Sequence, residues 1–347
     1  MHATTELINW YNTNKRDLPW RHTTDAYTIW LSEIILQQTR VEQGLPYFYS
    51  FLEKYPTVSH FASAPEDDIL KLWQGLGYYS RGRNMLKTAI QVQQEYGGTF
   101  PTTYNELIKL KGIGEYTAAA IASFSANEPQ AVLDGNVFRV LSRYLGISEP
   151  IDSTIGKKIF KQAAADLLNT EDPAAHNQAM MELGAMVCKP KNPACATCPL
   201  QLSCYAFLHN ATTALPVKSK KVKIKERHFN YFVVEDNNRI LINKRGEGDI
   251  WANMYDLPMI ETTLPTTIDE LVGLPETIKI FGNKLIIKKV FPVVKHILTH
   301  QHLYVRFIVL EQKPLVMEQN WDFIEVENLK KTALPKVIFI FLDNFLN

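Results

Sequence analysis

The sequence lacks any long apolar run. Of its 347 residues 46% are apolar, yet no uninterrupted apolar segment reaches the about 18 residues that a membrane-spanning helix needs. The N-terminal segment, MHATTELINWYNTNKRDLPW, also lacks the continuous apolar core of a secretory signal peptide. These absences argue against the membrane-protein and secreted classes, and we expect a soluble cytoplasmic protein.

Cysteine is scarce and confined to one short window. The four cysteines have the spacing C-x6-C-x2-C-x5-C, and they are Cys188, Cys195, Cys198 and Cys204. Because no cysteine remains elsewhere, the group predicts thiolate ligands of a soft metal centre. Structural zinc usually takes two C-x2-C pairs and only one is present, so the spacing favours a 4Fe-4S cluster over zinc. Two disulfides are a third alternative, which the lack of secretory features disfavours.

Net charge is also small, at +1, but it is unevenly distributed. Residues 217–228 carry six positive charges against one negative. This stretch is typical of a solvated linker, and it is equally typical of a segment that contacts phosphates. The two interpretations are compatible.

A change in periodicity predicts two domains. Up to about residue 210 the apolar positions recur at helical spacing, and from Phe229 they form short β-rich runs. Residues 335–347 read as an apolar helix packed on the resulting sheet. We therefore predict an all-α domain over residues 1–215, a basic linker over 216–228 and an α+β domain over 229–347.

A turn between two predicted helices carries two glycines. One helix is predicted to end near Leu110, a hairpin contains Gly112 and Gly114, and an alanine-rich helix begins near Tyr116. Glycines allow the backbone to approach a phosphate, and the N–H groups that open the second helix favour an anion. The pattern predicts sequence-independent anchoring to DNA, and its alternative is an ordinary turn closed by glycine.

Two acidic residues are candidate catalytic groups. Glu33 lies on a predicted helix among mainly apolar neighbours, and such burial raises a pKa as a general acid requires. Its alternative is a partly buried glutamate paired with Arg21 or Arg81. Asp134 precedes a strongly periodic helix, so that an N-cap is its simplest interpretation.

These features together resemble a known family. The hairpin, Asp134 within LDGNV and the cysteine spacing resemble the helix-hairpin-helix superfamily of iron–sulfur DNA glycosylases. Further motifs resemble its MutY-type adenine DNA glycosylases, and they are DLPWR at 17–21, SEIILQQTRV at 32–41, GLGYYSRGRN at 75–84 and NQAMMELGAMVC at 177–188. The resemblance implies an all-α glycosylase domain with a 4Fe-4S cluster. It also implies a Nudix-like α+β domain that recognises 8-oxoguanine opposite the target adenine.

The resemblance implies a repair reaction in which a flipped adenine is removed by hydrolysis of its N-glycosidic bond. Glu33 would protonate the base and Asp134 would stabilise positive charge on the sugar, while Tyr116 and Asn136 form hydrogen bonds in the same site. Arg21 would hold the flipped adenine, Gln38 would fill the space it leaves, and Leu76 and Tyr78 would form a wedge beside the lesion. The other implied DNA-binding residues are Trp20, Thr39, Arg81, Gly112, Gly114, Thr299 and His300.

Three other functions compete with this one. The endonuclease III type has a nucleophilic lysine just after the hairpin, but here Tyr116 occupies that position and cannot form a Schiff base, so little or no lyase activity is expected. A non-enzymatic iron–sulfur DNA-binding protein would need neither acid. Residues 244–258 resemble the opening of a Nudix hydrolase, but the motif G-x5-E-x7-R-E-x2-E-E is missing after them, so no nucleotide hydrolysis is expected.

The predicted lesion-reading loop departs from the family's usual Phe-Ser-His. It has Leu298, Thr299 and His300, which keep a hydroxyl and the histidine but lose the aromatic ring. The alternative is that His296, His300 and His302 are surface histidines leading into a strand. The predicted partner is double-stranded DNA containing adenine opposite 8-oxoguanine or guanine. We expect a monomer to bind it in a prokaryote-like cytoplasm, associated with the nucleoid and not with a membrane.

Overall fold

The computed structural model describes residues 2–219 and 224–346, so Lys220, Lys221 and Lys223 of the predicted basic linker lie outside the described residues. The chain divides into two compact units. The first comprises Met1–Ala64 and Asn84–Lys220, and the second comprises Pro65–Arg83 and Lys221–Asn347. The second unit thus includes a segment from the N-terminal half of the sequence.

The chain before residue 210 is helical, as its apolar spacing predicts. Its helices are α1 (His2–Asn14), α2 (Ala26–Ile35), α3 (Val41–Lys54), α4 (Val58–Ala62), α5 (Glu66–Leu72), α6 (Ser80–Glu95), α7 (Tyr104–Leu107), α8 (Glu115–Ala126), α9 (Gly135–Leu145), α10 (Thr154–Leu167), α11 (Pro173–Met186) and α12 (Tyr205–Leu208). No helix in the described part of the chain combines the length and the apolar character needed to cross a bilayer.

Two helices packed in the interior carry much of the site. In α2, nine of ten residues are buried, because the helix is apolar on nearly every side. Asp25 caps this helix by accepting a hydrogen bond from the main-chain N–H of Thr28 at 2.8 Å. The facing helix α8 buries the small side chains of Ala118, Ala119, Ala120 and Ala122, which allow α2 to pack closely against it.

A separate apolar cluster holds α9 in place. Leu141 of α9 is buried with Leu7 of α1, Phe160 of α10 and Leu183 of α11. Gly146 ends α9 in the left-handed conformation with φ of +72°, which only glycine adopts without strain. This packing fixes the N-terminal end of α9, where Asp134 lies.

The second unit contains the predicted β-rich region. Its strands are β1 (Lys225–Asp236), β2 (Arg239–Lys244), β3 (Tyr255–Asp256), β4 (Met259–Thr262), β5 (Ile287–Val290), β6 (Val294–Ile297), β7 (Gln301–Leu310) and β8 (Trp321–Glu325). Its later helices are α13 (Ile268–Val272), α14 (Pro275–Phe281) and α15 (Lys336–Leu346).

These strands form a mixed sheet covered by helices on both faces. The order is β3-β2-β1-β7-β5, with β4 beside β1, β6 beside β7 and β8 beside β2. Strands β1 and β7 run parallel, whereas the other described pairs are antiparallel. Phe232 packs against Phe281 of α14 on one face, and Phe307 stacks on Phe341 of α15 on the other. The predicted packing of the last helix on the sheet is confirmed.

Candidate active site

The two glycines of the helix-hairpin-helix differ in backbone conformation and in the space around them. Helix α7 ends at Leu107, three residues before the predicted end, and α8 begins at Glu115. Gly112 has φ of +78°, and an added Cβ would lie 2.7 Å from Cβ of Asn84, so the fold itself requires glycine. Gly114 has an ordinary φ of −97°. Around Gly114 no described atom lies within 4 Å of an added Cβ, so the start of α8 is open to an approaching anion.

Glu33 is buried on α2, as its apolar neighbours predicted. The hydroxyl of Tyr116, near the start of α8, donates a hydrogen bond to Glu33 Oε2 at 2.5 Å. Burial raises the pKa of Glu33 to about 7, although the bond from Tyr116 favours the charged form. A carboxyl group with a pKa near neutrality retains a proton that it can donate at physiological pH.

Asp134 is the N-cap residue of α9, as the sequence predicts. Its Oδ1 accepts a hydrogen bond from the N–H of Val137 at 2.7 Å, and its Oδ2 accepts one from the amide of Asn136 at 2.7 Å. Burial raises the pKa of Asp134, whereas both hydrogen bonds favour the carboxylate. The charge of Asp134 in turn raises the pKa of Glu33. The two acids therefore form one electrostatically coupled site in which Asp134 has the donors that stabilise an anion.

Arg21 is held in an ion pair that the sequence analysis did not identify. Arg16 and Arg21 each approach Glu182 Oε2 at 2.7 Å, and Glu182 is buried on α11. Burial alone would raise the pKa of Glu182, but hydrogen bonds from Arg16 and Arg21 hold it at about 2. Arg21 is thus paired with Glu182, and its charge acts on Glu33 through space. The sequence signal for this ion pair is Glu182 itself, a single acidic residue within the apolar segment MMELGAM.

The other predicted DNA contacts of the first unit lie on and beside α2. Trp20 is buried, with its ring edge-on to Phe48 at 5.2 Å between centroids. Gln38 is exposed and has φ of +56°, a conformation that is costly for a residue other than glycine. Thr39 is half-buried and donates its hydroxyl to the carbonyl of Gln37 at 3.3 Å. Strained backbone conformations like that of Gln38 concentrate at functional sites.

The predicted wedge residues belong to the second unit. Leu76 is buried, and Tyr78 is 41% exposed with φ of +46°. Gly75 and Gly77 also have positive φ, at +104° and +73°. Arg81 donates hydrogen bonds to the carbonyls of Leu76 and Gly77, each at 3.2 Å. We call residues 75–78 the wedge loop.

The four cysteines are free thiols that line one cavity together with Arg143. Arg143 donates to Cys188 Sγ at 3.4 Å. Burial, and the charge of the neighbouring thiols, raise the pKa of Cys198 to about 11, so that this thiol needs a bound cation to be a thiolate at neutral pH. In the described residues no group of three or more His, Cys, Asp or Glu side chains is placed to hold a metal ion. The shared cavity and all-thiol donor set are compatible with a 4Fe-4S centre.

Arg139 joins the cysteine loop to the acids. Its guanidinium donates to Asn136 Oδ1 at 2.8 Å, to the carbonyl of Gly184 at 2.8 Å and to the carbonyl of Cys188 at 2.6 Å. Because Asn136 also holds Asp134, a continuous chain of hydrogen bonds connects the two regions. No sequence motif marks Arg139, although an arginine on the apolar face of α9 is unusual.

The predicted lesion-reading loop is the turn between β6 and β7. Thr299 and His300 are exposed there, while Leu298 is half-buried. The main chain of the turn is fixed, because the N–H of Leu298 donates to the carbonyl of Gln301 at 2.8 Å and the carbonyl of His300 accepts from a strand β1 N–H at 3.0 Å. The loop therefore presents its two polar side chains on a well-defined backbone.

The neighbouring histidines differ from His300. His302 is half-buried, with Nδ1 4.0 Å from a carboxylate oxygen of Glu226. His296 is half-buried beside the ring of Trp251. Both burial and the nearby charge of Lys336 lower the pKa of His296. Of the three histidines that the alternative places at the surface, His300 is exposed, whereas His296 and His302 are half-buried on β6 and β7.

Comparisons with known proteins agree with this architecture. Residues 31–165 match the HhH-GPD superfamily of base excision DNA repair proteins, and residues 230–344 match the NUDIX domain. The adenine DNA glycosylase of Buchnera aphidicola subsp. Schizaphis graminum (strain Sg) is 39% identical over 265 residues, which are 75% of either chain. A thermostable thymine-DNA glycosylase structure has a TM-score of 0.55 at 28% identity and covers 59% of this chain and 95% of its own. A non-covalent endonuclease III–DNA complex shares the fold, with a TM-score of 0.51 at 20% identity over 60% of this chain and 94% of its own.

Proposed function

The chain belongs to the adenine DNA glycosylase family, and from this membership we propose that it removes adenine paired with 8-oxoguanine or guanine in double-stranded DNA. The target lies within the base stack, so the nucleotide must be flipped before its N-glycosidic bond can be hydrolysed. The observation that supports the proposal most strongly is the pair of buried acids, in which Glu33 has a pKa of about 7.

In the proposed reaction the two acids act at opposite ends of the breaking bond. Glu33 donates its proton to adenine, so that the base departs without negative charge. The carboxylate of Asp134 stabilises the positive charge that develops on the sugar. Water adds its oxygen to the sugar carbon, and a proton of that water returns to the pair of acids. Tyr116 and Asn136 orient Glu33 and Asp134 through the hydrogen bonds described above.

We assign DNA binding to residues of both units, among them the open backbone at Gly114 and the strained positions Gln38 and Tyr78. The open backbone at Gly114 would accept a phosphate, and Gly112 shapes the hairpin that presents it. Arg21, oriented by Glu182, would hold the flipped adenine, and Gln38 would occupy the space it leaves. The remaining proposed contacts are Trp20, Thr39, Leu76, Tyr78 and Arg81.

Strand cleavage is not part of the proposed reaction. A glycosylase that also cuts the strand needs an amine nucleophile to form a Schiff base with the sugar. At the position after the hairpin this chain has the phenol of Tyr116, which is already hydrogen-bonded to Glu33. The expected product is an intact strand with an abasic site.

A 4Fe-4S cluster is proposed at the cysteines, with Cys188, Cys195, Cys198 and Cys204 as its ligands. Such a cluster supplies a redox-active centre and ties together the loop that holds it. The guanidinium of Arg143 would donate a hydrogen bond to the Cys188 sulfur, a contact of the kind that tunes cluster potentials. We further propose that the protein acts as a monomer on the DNA of a prokaryote-like cytoplasm.

Recognition of the opposite base is proposed for the second unit. Adenine is a normal base, so the enzyme must depend on what lies across the duplex. Thr299 and His300 are exposed hydrogen-bonding groups on a fixed turn, and they would bind the altered edge of 8-oxoguanine.

The proposal is tested with a duplex that contains a single adenine opposite 8-oxoguanine. Wild-type protein should produce a site that breaks on treatment with alkali, and an adenine–thymine duplex serves as the uncut control. Glu33→Gln protein provides the matched control for contaminating activities. If wild-type protein yields no alkali-labile site, the proposed function is wrong.

A further inference from the structure

Residues 65–83 belong to a different compact unit from the other helices of the predicted all-α domain. By sequence they lie within the region that matches the glycosylase superfamily, yet in the structure they belong to the same compact unit as the Nudix-like fold. This segment contains α5 and the wedge loop at residues 75–78. Its contacts therefore bear on how the wedge residues are held.

The wedge loop has a strained backbone. Tyr78 adopts the left-handed conformation with φ of +46°, which is strained for a bulky residue. Such a conformation persists only where surrounding contacts impose it. Within the segment, the indole N–H of Trp73 donates to the carbonyl of Gly77 at 3.0 Å, and Arg81 donates to the same carbonyl.

Two side chains that flank the wedge loop anchor it to the Nudix-like fold. Before the loop, Gln74 donates its amide to the carbonyl of Leu334 at 2.8 Å. After the loop, Arg83 donates to the carbonyl of Ala252 at 2.7 Å. Both acceptors are main-chain groups, so these contacts depend on backbone position in the C-terminal fold.

Helix α5 adds further contacts to the same surface. Asn253 donates to Glu66 Oε1 at 2.7 Å, and the hydroxyl of Tyr255 donates to Asp67 Oδ2 at 3.2 Å. Lys244 lies 3.4 Å from Asp67 Oδ1. The residues that receive the segment therefore lie mainly between Lys244 and Tyr255, within the stretch that resembles the opening of a Nudix hydrolase.

This receiving stretch is held together by an ion pair and hydrogen bonds of Arg245. Arg245 forms an ion pair with the fully buried Asp256 at 2.7 Å and donates to the carbonyl of Ile250 at 3.1 Å. Its main chain also exchanges hydrogen bonds with Met254 and Asn253 at 2.9 and 3.0 Å. A buried, fully paired network of this kind holds a loop in one conformation.

We propose that the Nudix-like fold positions the wedge loop through Gln74 and Arg83, and that it contributes to opposite-base preference by this route as well as through Thr299 and His300. The Nudix-like opening then serves as a docking surface for the wedge segment. Gln74 and Arg83 are positioning residues, since they act through Leu76 and Tyr78. This inference rests on the proposed excision of adenine opposite 8-oxoguanine.

The test compares full-length variants in single-turnover excision opposite 8-oxoguanine and opposite guanine. In Gln74→Ala with Arg83→Ala, both anchors are lost, and the preference for 8-oxoguanine should fall ~5- to 30-fold, the factor that corresponds to losing 1 to 2 kcal/mol. Arg83→Lys keeps a charged donor and should retain most of the preference. Lys279→Ala is the matched surface control, because Lys279 pairs with Glu318 outside this contact.

A second readout separates positioning from simple destabilisation. With 2-aminopurine beside the lesion, the double variant should report weaker stacking by the wedge, while its melting temperature stays close to that of Lys279→Ala. Combining the double variant with Thr299→Ala and His300→Ala should multiply the losses, as expected for independent routes. If the double variant is poorly folded, the preference for 8-oxoguanine over guanine is measured instead on the single variants Gln74→Ala and Arg83→Ala.

Two results would overturn the inference. One is an unchanged preference in the anchor variants when the wild type excises adenine normally. The other is an equal loss opposite both bases together with a lowered melting temperature, which would make the anchors structural only. Absence of excision by the wild type would instead overturn the proposed function.

Discussion

Burial of Glu33 gives it the raised pKa that the proposed chemistry needs, but the same burial lowers the stability of the fold. An exposed glutamate has a pKa of 4.5, whereas burial raises that of Glu33 to about 7. The unfolded chain therefore ionises this group first, and the free energy of unfolding falls as pH rises from the lower value to the higher one. Above the higher pKa the loss is complete and amounts to roughly 3 kcal/mol. The protein thus retains a destabilising group that holds a proton near neutral pH.

Glu33→Gln should separate these two effects. Without the proton donor, excision should fall by ~10² to 10⁴. Because the amide does not ionise, stability above neutral pH should rise by up to roughly 3 kcal/mol, and little should change at acidic pH. Single-turnover assays and denaturant unfolding at two pH values measure both effects, and wild-type excision should decline above pH ~7. Undiminished excision by the variant would remove Glu33 from the mechanism.

Asp134→Asn should distinguish the anion from the helix cap. Asparagine caps a helix about as well as aspartate, so the variant should unfold at nearly the wild-type temperature. Excision should nevertheless fall sharply, since a neutral amide cannot stabilise the positive charge on the sugar. Asp134→Ala, which loses cap and charge together, is the comparison variant. Normal excision by Asp134→Asn would leave Asp134 with a capping role only.

Among the elements, the sequence predicts best those whose signals are local. The burial of Glu33 follows from neighbours one helical turn away, and the hairpin follows from two glycines between apolar helices. The partners of Arg21 and Gln74 cannot be predicted in this way. Glu182 and Leu334 lie 161 and 260 residues further along the chain. Only the packed fold brings such pairs together. For this reason neither composition nor periodicity predicts that segment 65–83 belongs to the second unit.

The hairpin provides a matched pair of glycine substitutions. Gly112→Ala forces a Cβ into the left-handed conformation and against Asn84, so it should destabilise the protein by more than about 1 kcal/mol. Gly114→Ala meets no described atom and should fold normally. It should weaken DNA binding, however, because the new methyl group lies where a phosphate would approach. Thermal unfolding and DNA titration at one salt concentration measure the two losses, and full DNA affinity in Gly114→Ala would argue against this phosphate site.

The cysteine loop provides the test of the metal centre. Protein purified without oxygen should be brown and contain about four iron atoms per chain. Cys198→Ser should lose the colour, because Cys198 lines the shared cavity and is one of its thiol donors. A colourless wild-type protein with stoichiometric zinc would contradict the proposed cluster and return the site to the zinc alternative.

For the whole molecule, the division of the chain determines what a truncated protein can do. A fragment ending at Leu215 keeps Glu33, Asp134 and the hairpin, but it loses the Nudix-like fold and with it the carbonyl acceptors of Gln74 and Arg83. We expect the fragment to excise adenine with little preference for 8-oxoguanine over guanine. Segment 65–83 should also become sensitive to proteases, because its packing partner is gone.

The comparison protein is the full-length Thr299→Ala, His300→Ala variant. It lacks the proposed lesion contacts but keeps the wedge segment docked, so it should lose only part of the preference and should protect segment 65–83 as the wild type does. Excision ratios at fixed salt and limited proteolysis measure the two properties on the same samples. If the fragment kept the full preference, discrimination would belong to Leu76 and Tyr78 without help from the Nudix-like fold. If the fragment and the variant lost the same amount, the lesion contacts would account for the whole contribution of that fold.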